Sequence, residues 1–139
     1  MGIVLDTSVL IASEKKKLNF VSFAVAHQHQ NVFLAAVTAA EFLYGVERAQ
    51  PKARRASRSE FAEKLFASIP ILDYDLNVAR RHASLWATLT EKGKIIGPYD
   101  LIIAASALEY GHSVATLNVG EFSRVPGISL VDVSAYLDR

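Results

Sequence analysis

Short apolar runs recur along this chain, separated by longer stretches in which apolar residues return every three or four positions. The runs fall at 3–5, 32–35, 69–72, 114–117 and 128–131. They are apolar almost throughout instead of alternating with polar residues, as expected of strands buried on both faces. Between them, three helical stripes stand out: Ala39, Phe42, Leu43 and Val46; Phe61, Ala62, Leu65, Phe66 and Ile69; and Val78, His82, Leu85, Trp86 and Leu89. The segment 101–108 is apolar nearly all round, which predicts the most buried helix of the set. Strands alternating with helices predict an α/β fold, a parallel sheet covered on both faces. The polar, basic segment 50–59 contains Pro51 and reads as a loop between two helices.

At 139 residues the chain is expected to form a single domain, 1–139. Its 51% apolar content can fill one core, and a net charge of +1 announces no polyanionic partner. The absence of cysteine removes disulfides, thiolate metal sites and cysteine nucleophiles. No basic leader precedes the first apolar run, and no run approaches bilayer length, so a cytoplasmic protein with no membrane segment is expected.

Three acids change this picture. Asp6 directly follows the first predicted strand. Glu41 is expected in the first turn of the helix after the second, and Asp100 in the first turn of the helix after Gly97-Pro98. Each has a structural explanation. Asp6 could cap a helix, Thr38-Ala39-Ala40-Glu41 matches a capping box, and Asp100 would complement a helix dipole. In a parallel sheet, however, the carboxyl ends of the strands share one edge, where ligands bind. The three acids could therefore converge although they are distant in sequence. Clustered, partly desolvated carboxylates repel one another, and a hard divalent cation such as Mg²⁺ or Mn²⁺ relieves that cost. Such a site suits phosphoryl chemistry.

Four strings carry a resemblance. "IVLDTSVLIA" contains Asp6, "VTAAEFLYGVERA" contains Glu41, "GPYDLIIAASALEYG" contains Asp100, and "VATLNVGEFSRVPGISLVDV" contains Glu121. In this order and at this length the chain resembles the PIN-domain ribonucleases, and among them the VapC toxins of toxin–antitoxin pairs. The resemblance implies a PIN-like three-layer sandwich, with a mostly parallel sheet of about five strands flanked by helices. It also implies a Mg²⁺- or Mn²⁺-dependent endoribonuclease that leaves a 5′-phosphate and a 3′-hydroxyl. Its implied partners are RNA, a VapB-type antitoxin and a second copy of the chain in a homodimer. The metal ligands it implies are Asp6, Glu41, Asp100 and Glu121. Glu121 is a departure, since the family usually places Asp before the corresponding Phe122. Thr7, Ser8, Thr116 and Asn118 match polar positions near the family's site. A non-catalytic PIN-like module that binds RNA or protein is the competing reading.

Arg48, Lys52, Arg54, Arg55 and Arg58 fall in one stretch with no intervening acid. They could track an RNA backbone, with Arg54 and Arg55 as the candidate contacts, or form a solvated loop. Lys15, Lys16 and Lys17 make a second, shorter run. His82 sits on a predicted apolar face. His112, after Gly111, stands where a cation would suit a helix C-terminus. HExxH, P-loop, GxGxxG and GxSxG patterns are missing from the sequence.

Overall fold

A computed structural model of the protein describes residues 1–138. Five parallel strands form one sheet: β1 (Ile3–Leu5), β2 (Val32–Ala35), β3 (Ile71–Leu72), β4 (Ser113–Thr116) and β5 (Leu130–Asp132). Their spatial order is β3-β2-β1-β4-β5. The chain builds one half of the sheet outward from β1, then returns to β1's other side for β4 and β5. The switch point therefore lies between β1 and β4, where Leu5 pairs with Ala115.

Period-two geometry explains the two cores. In β1, Val4 faces one layer while Ile3 and Leu5 face the other. Ala35 and Leu34 divide in the same way, as do Val114 and Ala115. On one side lie α1 (Thr7–Glu14), α2 (Phe20–Ala26), α3 (Ala36–Arg48) and α4 (Lys52–Ser68), contributing Val9, Phe23, Phe42 and Ala62. On the other lie α5 (Leu76–Glu91), α6 (Pro98–Tyr110) and the short α7 (Val119–Phe122), contributing Val78, Leu89, Ile103 and Phe122. As the sequence predicts, α6 is deeply buried; Leu101, Ile103, Ala104, Ala105, Ser106 and Ala107 are all inside.

Several expectations need correction. The segment 50–59 is not a loop: α4 begins at Lys52, with Pro51 at its N-cap. Proline is harmless just before the first turn, where its missing N–H would have no helical partner, and the Ala, Arg, Lys and Glu that follow favour helix. The strands after β2 are shifted by one or two residues from the apolar runs. Ile69 caps α4, and the next residue, Pro70, contributes only its carbonyl, to Leu34 N–H. Leu43 and Trp86, assigned to buried stripes, are 38% and 57% exposed.

His112 is not a helix-end cation. Gly2 N–H donates to its Nδ1 at 2.9 Å, and the ring stacks on Phe33 at 4.5 Å. Burial, helped by the nearby N-terminal charge, pushes its pKa down, which keeps Nδ1 an acceptor. A Cβ at Gly2 would lie 2.6 Å from Phe33 and 2.9 Å from the Asn31 carbonyl, so only glycine allows this approach to β1.

Phe42 joins α3 to α4. It is 1% exposed, packs on Phe61 at 5.7 Å and carries the Arg58 guanidinium 5.1 Å above its ring. Phe42→Ala is expected to lower unfolding free energy by about 3–5 kcal/mol. Urea denaturation measures the loss.

Candidate active site

The carboxyl end of β1 runs straight into Asp6, which is 2% exposed. Its backbone occupies the N-cap of α1, but its side chain makes no capping bond. Asp6 Oδ2 instead accepts from Ser8 Oγ at 2.8 Å and from Thr116 Oγ1 at 2.7 Å. These hydroxyls are themselves held. Ser8 Oγ accepts from Leu117 N–H at 3.2 Å, and Thr116 Oγ1 from Asn118 N–H at 2.8 Å. Two backbone N–H groups after β4 thus reach Asp6 through two hydroxyl relays, both ending on Oδ2. Oδ1 receives none of these bonds.

Glu41 enters from α3. The capping-box expectation fails here because β2 passes into α3 without a polar cap: Ala35 is the N-cap, and the helix starts at Ala36. Glu41 therefore stands in the second turn, not the first. Thr38 lies inside the helix, fully buried, with its hydroxyl unpartnered. Thr7 Oγ1 donates to Glu41 Oε1 at 2.8 Å, tying α1 to α3.

Asp100 occupies the first turn of α6, as expected from Gly97 at the N-cap and Pro98 at the first helical position. Glu121 comes from α7, and its Oε1 accepts Gly97 N–H at 2.6 Å. A Cβ built on Gly97 would lie 3.4 Å from Glu121 Oε1 and 3.5 Å from Asp100 Oδ2, so both carboxylates gather over one backbone position. The Gly97 N–H is a site feature that sequence reasoning missed, although Gly97-Pro98 marked the helix start.

Electrostatics report the convergence. Asp100 is pushed up to about 7 by burial, by the charge of Asp6, by a hydrogen bond and charge from Glu121, and by the charge of Glu41. Burial also raises Glu41, with Asp6 adding to it and the Thr7 hydrogen bond opposing it. Among the described residues, no three His, Asp or Glu side chains lie close enough together, as they stand, to hold a metal ion. The arrangement is an open cluster of oxygen donors, which fits the preference of Mg²⁺ for a few carboxylates with retained water.

The other candidates are distributed unevenly. Thr7, Ser8 and Thr116 hold the acids, and Asn118 is exposed beside them at the N-cap of α7. Arg54 and Arg55 are exposed on α4 and paired with none of the four acids. Arg54 lines a basic cavity with Arg48 and Arg58, while Arg55 donates to the Glu47 carbonyl at 3.1 Å. Lys15, Lys16 and Lys17 are exposed after α1. His82, half-buried, shares a 2.8 Å hydrogen bond with Tyr74 and stacks on Trp86 at 5.6 Å.

The PIN domain family matches residues 3–128, and the chain belongs to it. Its relatives within that family are VapC proteins. A tRNA(fMet)-specific endonuclease VapC from Salmonella typhimurium is 31% identical over 93% of this chain and 96% of its own length. Ribonuclease VapC1 of Rickettsia felis is 29% identical over 97% of this chain and 98% of its own. In the crystal structure of DNA-bound VapBC from Salmonella typhimurium, one chain superposes with a TM-score of 0.84. It is 30% identical over 95% of this chain and 98% of that one.

Asp100 is ordinarily ionised above 3.8 but is held protonated to about 7 in the fold. Its contribution to stability is therefore full below about 4 and is lost as pH rises towards 7. Without metal, Asp100→Asn is expected to flatten that fall and to melt at higher temperature than the parent at pH 7. Thermal melts in EDTA across pH 4–8 check this.

Proposed function

We propose that this chain is a metal-dependent endoribonuclease, the toxin of a VapBC-type pair, acting as one PIN unit in the cytoplasm. The observation that carries the reading is the gathering of four acids from four segments at the sheet's switch point, where burial first, and then the charges of Asp6, Glu121 and Glu41, raise Asp100 to about 7. The names of the relatives support RNA as substrate, and the solved complexes support a VapB-type antitoxin as partner. A homodimer follows from the family resemblance. Among the described residues no helix is long and apolar enough to cross a membrane.

Asp6, Glu41, Asp100 and Glu121 would hold Mg²⁺ or Mn²⁺. When bound, the cation supplies positive charge against the scissile phosphate and makes the attacking water more acidic. Ser8 and Thr116 keep Asp6 from rotating, because both hydroxyls are pinned by backbone N–H groups. Thr7 does the same for Glu41, and Gly97 N–H for Glu121. Asn118, exposed at the N-cap of α7, would contact substrate. Half-burial of Glu41 and Asp100 limits their hydration, which strengthens every charge interaction at the reacting phosphate. Glu121 carries an extra methylene relative to the family's usual Asp, and its carboxylate still reaches the Gly97 N–H beside Asp100.

Asp6→Asn and Asp100→Asn are each expected to reduce cleavage of RNA in Mg²⁺ or Mn²⁺ by about 100- to 1000-fold. EDTA is expected to abolish cleavage by the parent. Mapping RNA ends by sequencing reads both effects. Folded variants that cut as fast as the parent would remove these acids from the mechanism, and cleavage unaffected by EDTA would remove the metal.

A further inference from the structure

Helix α3 presents more than Glu41 to the site. Val37, Ala40, Glu41, Tyr44 and Arg48 follow one another at helical spacing on a single stripe, opposite the buried Thr38, Phe42 and Val46. Val37, Ala40, Glu41 and Tyr44 line a cavity of about 450 Å³, with Tyr99 from α6 completing it. Tyr44 and Tyr99 are 62% and 54% exposed, large aromatic rings left open beside a cluster acid. Tyr44 also borders a second cavity of about 360 Å³, whose charged walls are Arg48, Arg54 and Arg58. Arg58 is committed to Glu14 at 3.0 Å, whereas Arg48 and Arg54 form no ion pair among the described residues. The Arg48 guanidinium lies 5.5 Å from the Tyr44 ring centroid and donates to its hydroxyl at 3.3 Å, which steadies the ring.

Along α3 the surface therefore changes from acid to aromatic to basic. The rise from Glu41 to Arg48 is roughly 10 Å, the scale of one nucleotide with its flanking phosphate. A flexible single strand suits this sequence of surfaces: phosphate at the cation, base on an aromatic ring, next phosphate on arginine. A peptide laid along the groove would need a basic group for Glu41 at one end and an acidic group for Arg48 and Arg54 at the other, with only Val37 and Ala40 as aliphatic wall between.

We propose that the Tyr44–Tyr99 cavity is a nucleobase subsite. It holds an unpaired base of the RNA next to the scissile phosphate by stacking, and Arg48 with Arg54 holds the phosphate beyond. This rests on the ribonuclease reading and goes beyond it in naming the two rings that hold the base.

The test uses the full chain carrying Asp6→Asn, so that RNA is bound without being cut, and a single-stranded RNA hexamer containing 2-aminopurine. Binding is expected to quench the 2-aminopurine, and a duplex of the same sequence to show no such quenching. Tyr44→Ala and Tyr99→Ala, both at exposed positions and checked by thermal melts, are expected to weaken binding about tenfold and to diminish the quenching. Tyr44→Phe is expected to retain both. Arg48→Ala is expected to weaken binding and lower its salt dependence by about one ion. Unchanged affinity and quenching in both alanine variants would overturn the subsite. So would alanine variants that bind RNA normally but escape inhibition by an antitoxin, because the groove would then be a protein site. A parent that never cuts RNA, with Tyr44-dependent quenching intact, would leave the subsite standing and remove the nuclease reading.

Discussion

Negative charges brought together at the rim of a sheet repel, and among the described residues no Lys or Arg is ion-paired with them. That repulsion is the constraint on which the site depends. Asp100 feels Asp6, Glu121 and Glu41 at once, and burial deprives it of the water that would screen them. A fold built only for stability would separate these groups or pair them with lysine or arginine. Here none of the ion pairs among the described residues reaches the four acids: Arg58 pairs with Glu14, Lys64 with Glu60 and Arg81 with Glu109. The cluster is left needing a counter-charge that a divalent cation can supply.

Topology makes the convergence possible, and hydrogen bonding gives it shape. Because the chain reverses its direction of growth across the sheet between β1 and β4, the ends of these neighbouring strands leave an opening at the carboxyl edge. Asp6 stands at that opening. Thr116, at the end of β4, reaches across to it, and Ser8 reaches back from the first turn of α1. These relays cost little conformational freedom, since each hydroxyl belongs to a short side chain anchored by the backbone. They hold the charge in place before any ligand arrives, as electrostatic catalysis requires. The aromatic and basic stripe on α3 extends the same organisation outward from Glu41.

Much of this was legible in the sequence. Unbroken apolar runs marked a buried parallel sheet, and Asp6 and Asp100 were placed by a strand end and a Gly-Pro helix start. Glu41 was singled out as a candidate acid but assigned to the first turn of its helix, where the structure has it in the second. The Thr38–Glu41 pattern mimics a capping box, and sequence alone does not reveal that β2 runs into α3 without a polar cap. The basic stretch was mistaken for a loop because Pro51 looks like a breaker, although just before a helix start it breaks nothing. Trp86 and Leu43 have helical spacing but face outward, since periodicity defines a stripe without saying how wide the buried face is. The cavity between Tyr44 and Tyr99 had no local signal, because its two walls are separated by more than fifty residues.

The convergence of the acids is tested most directly by the ionisation of Asp100 itself. Carbon-13 NMR of the side-chain carboxyl, followed from pH 3 to 9 in metal-free protein, should show Asp100 titrating near 7. In saturating Mg²⁺, that titration should move well below neutrality as the cation takes the place of the proton. An Asp100 that titrates near its ordinary value without metal, or one that is indifferent to Mg²⁺, would contradict a shared cation site.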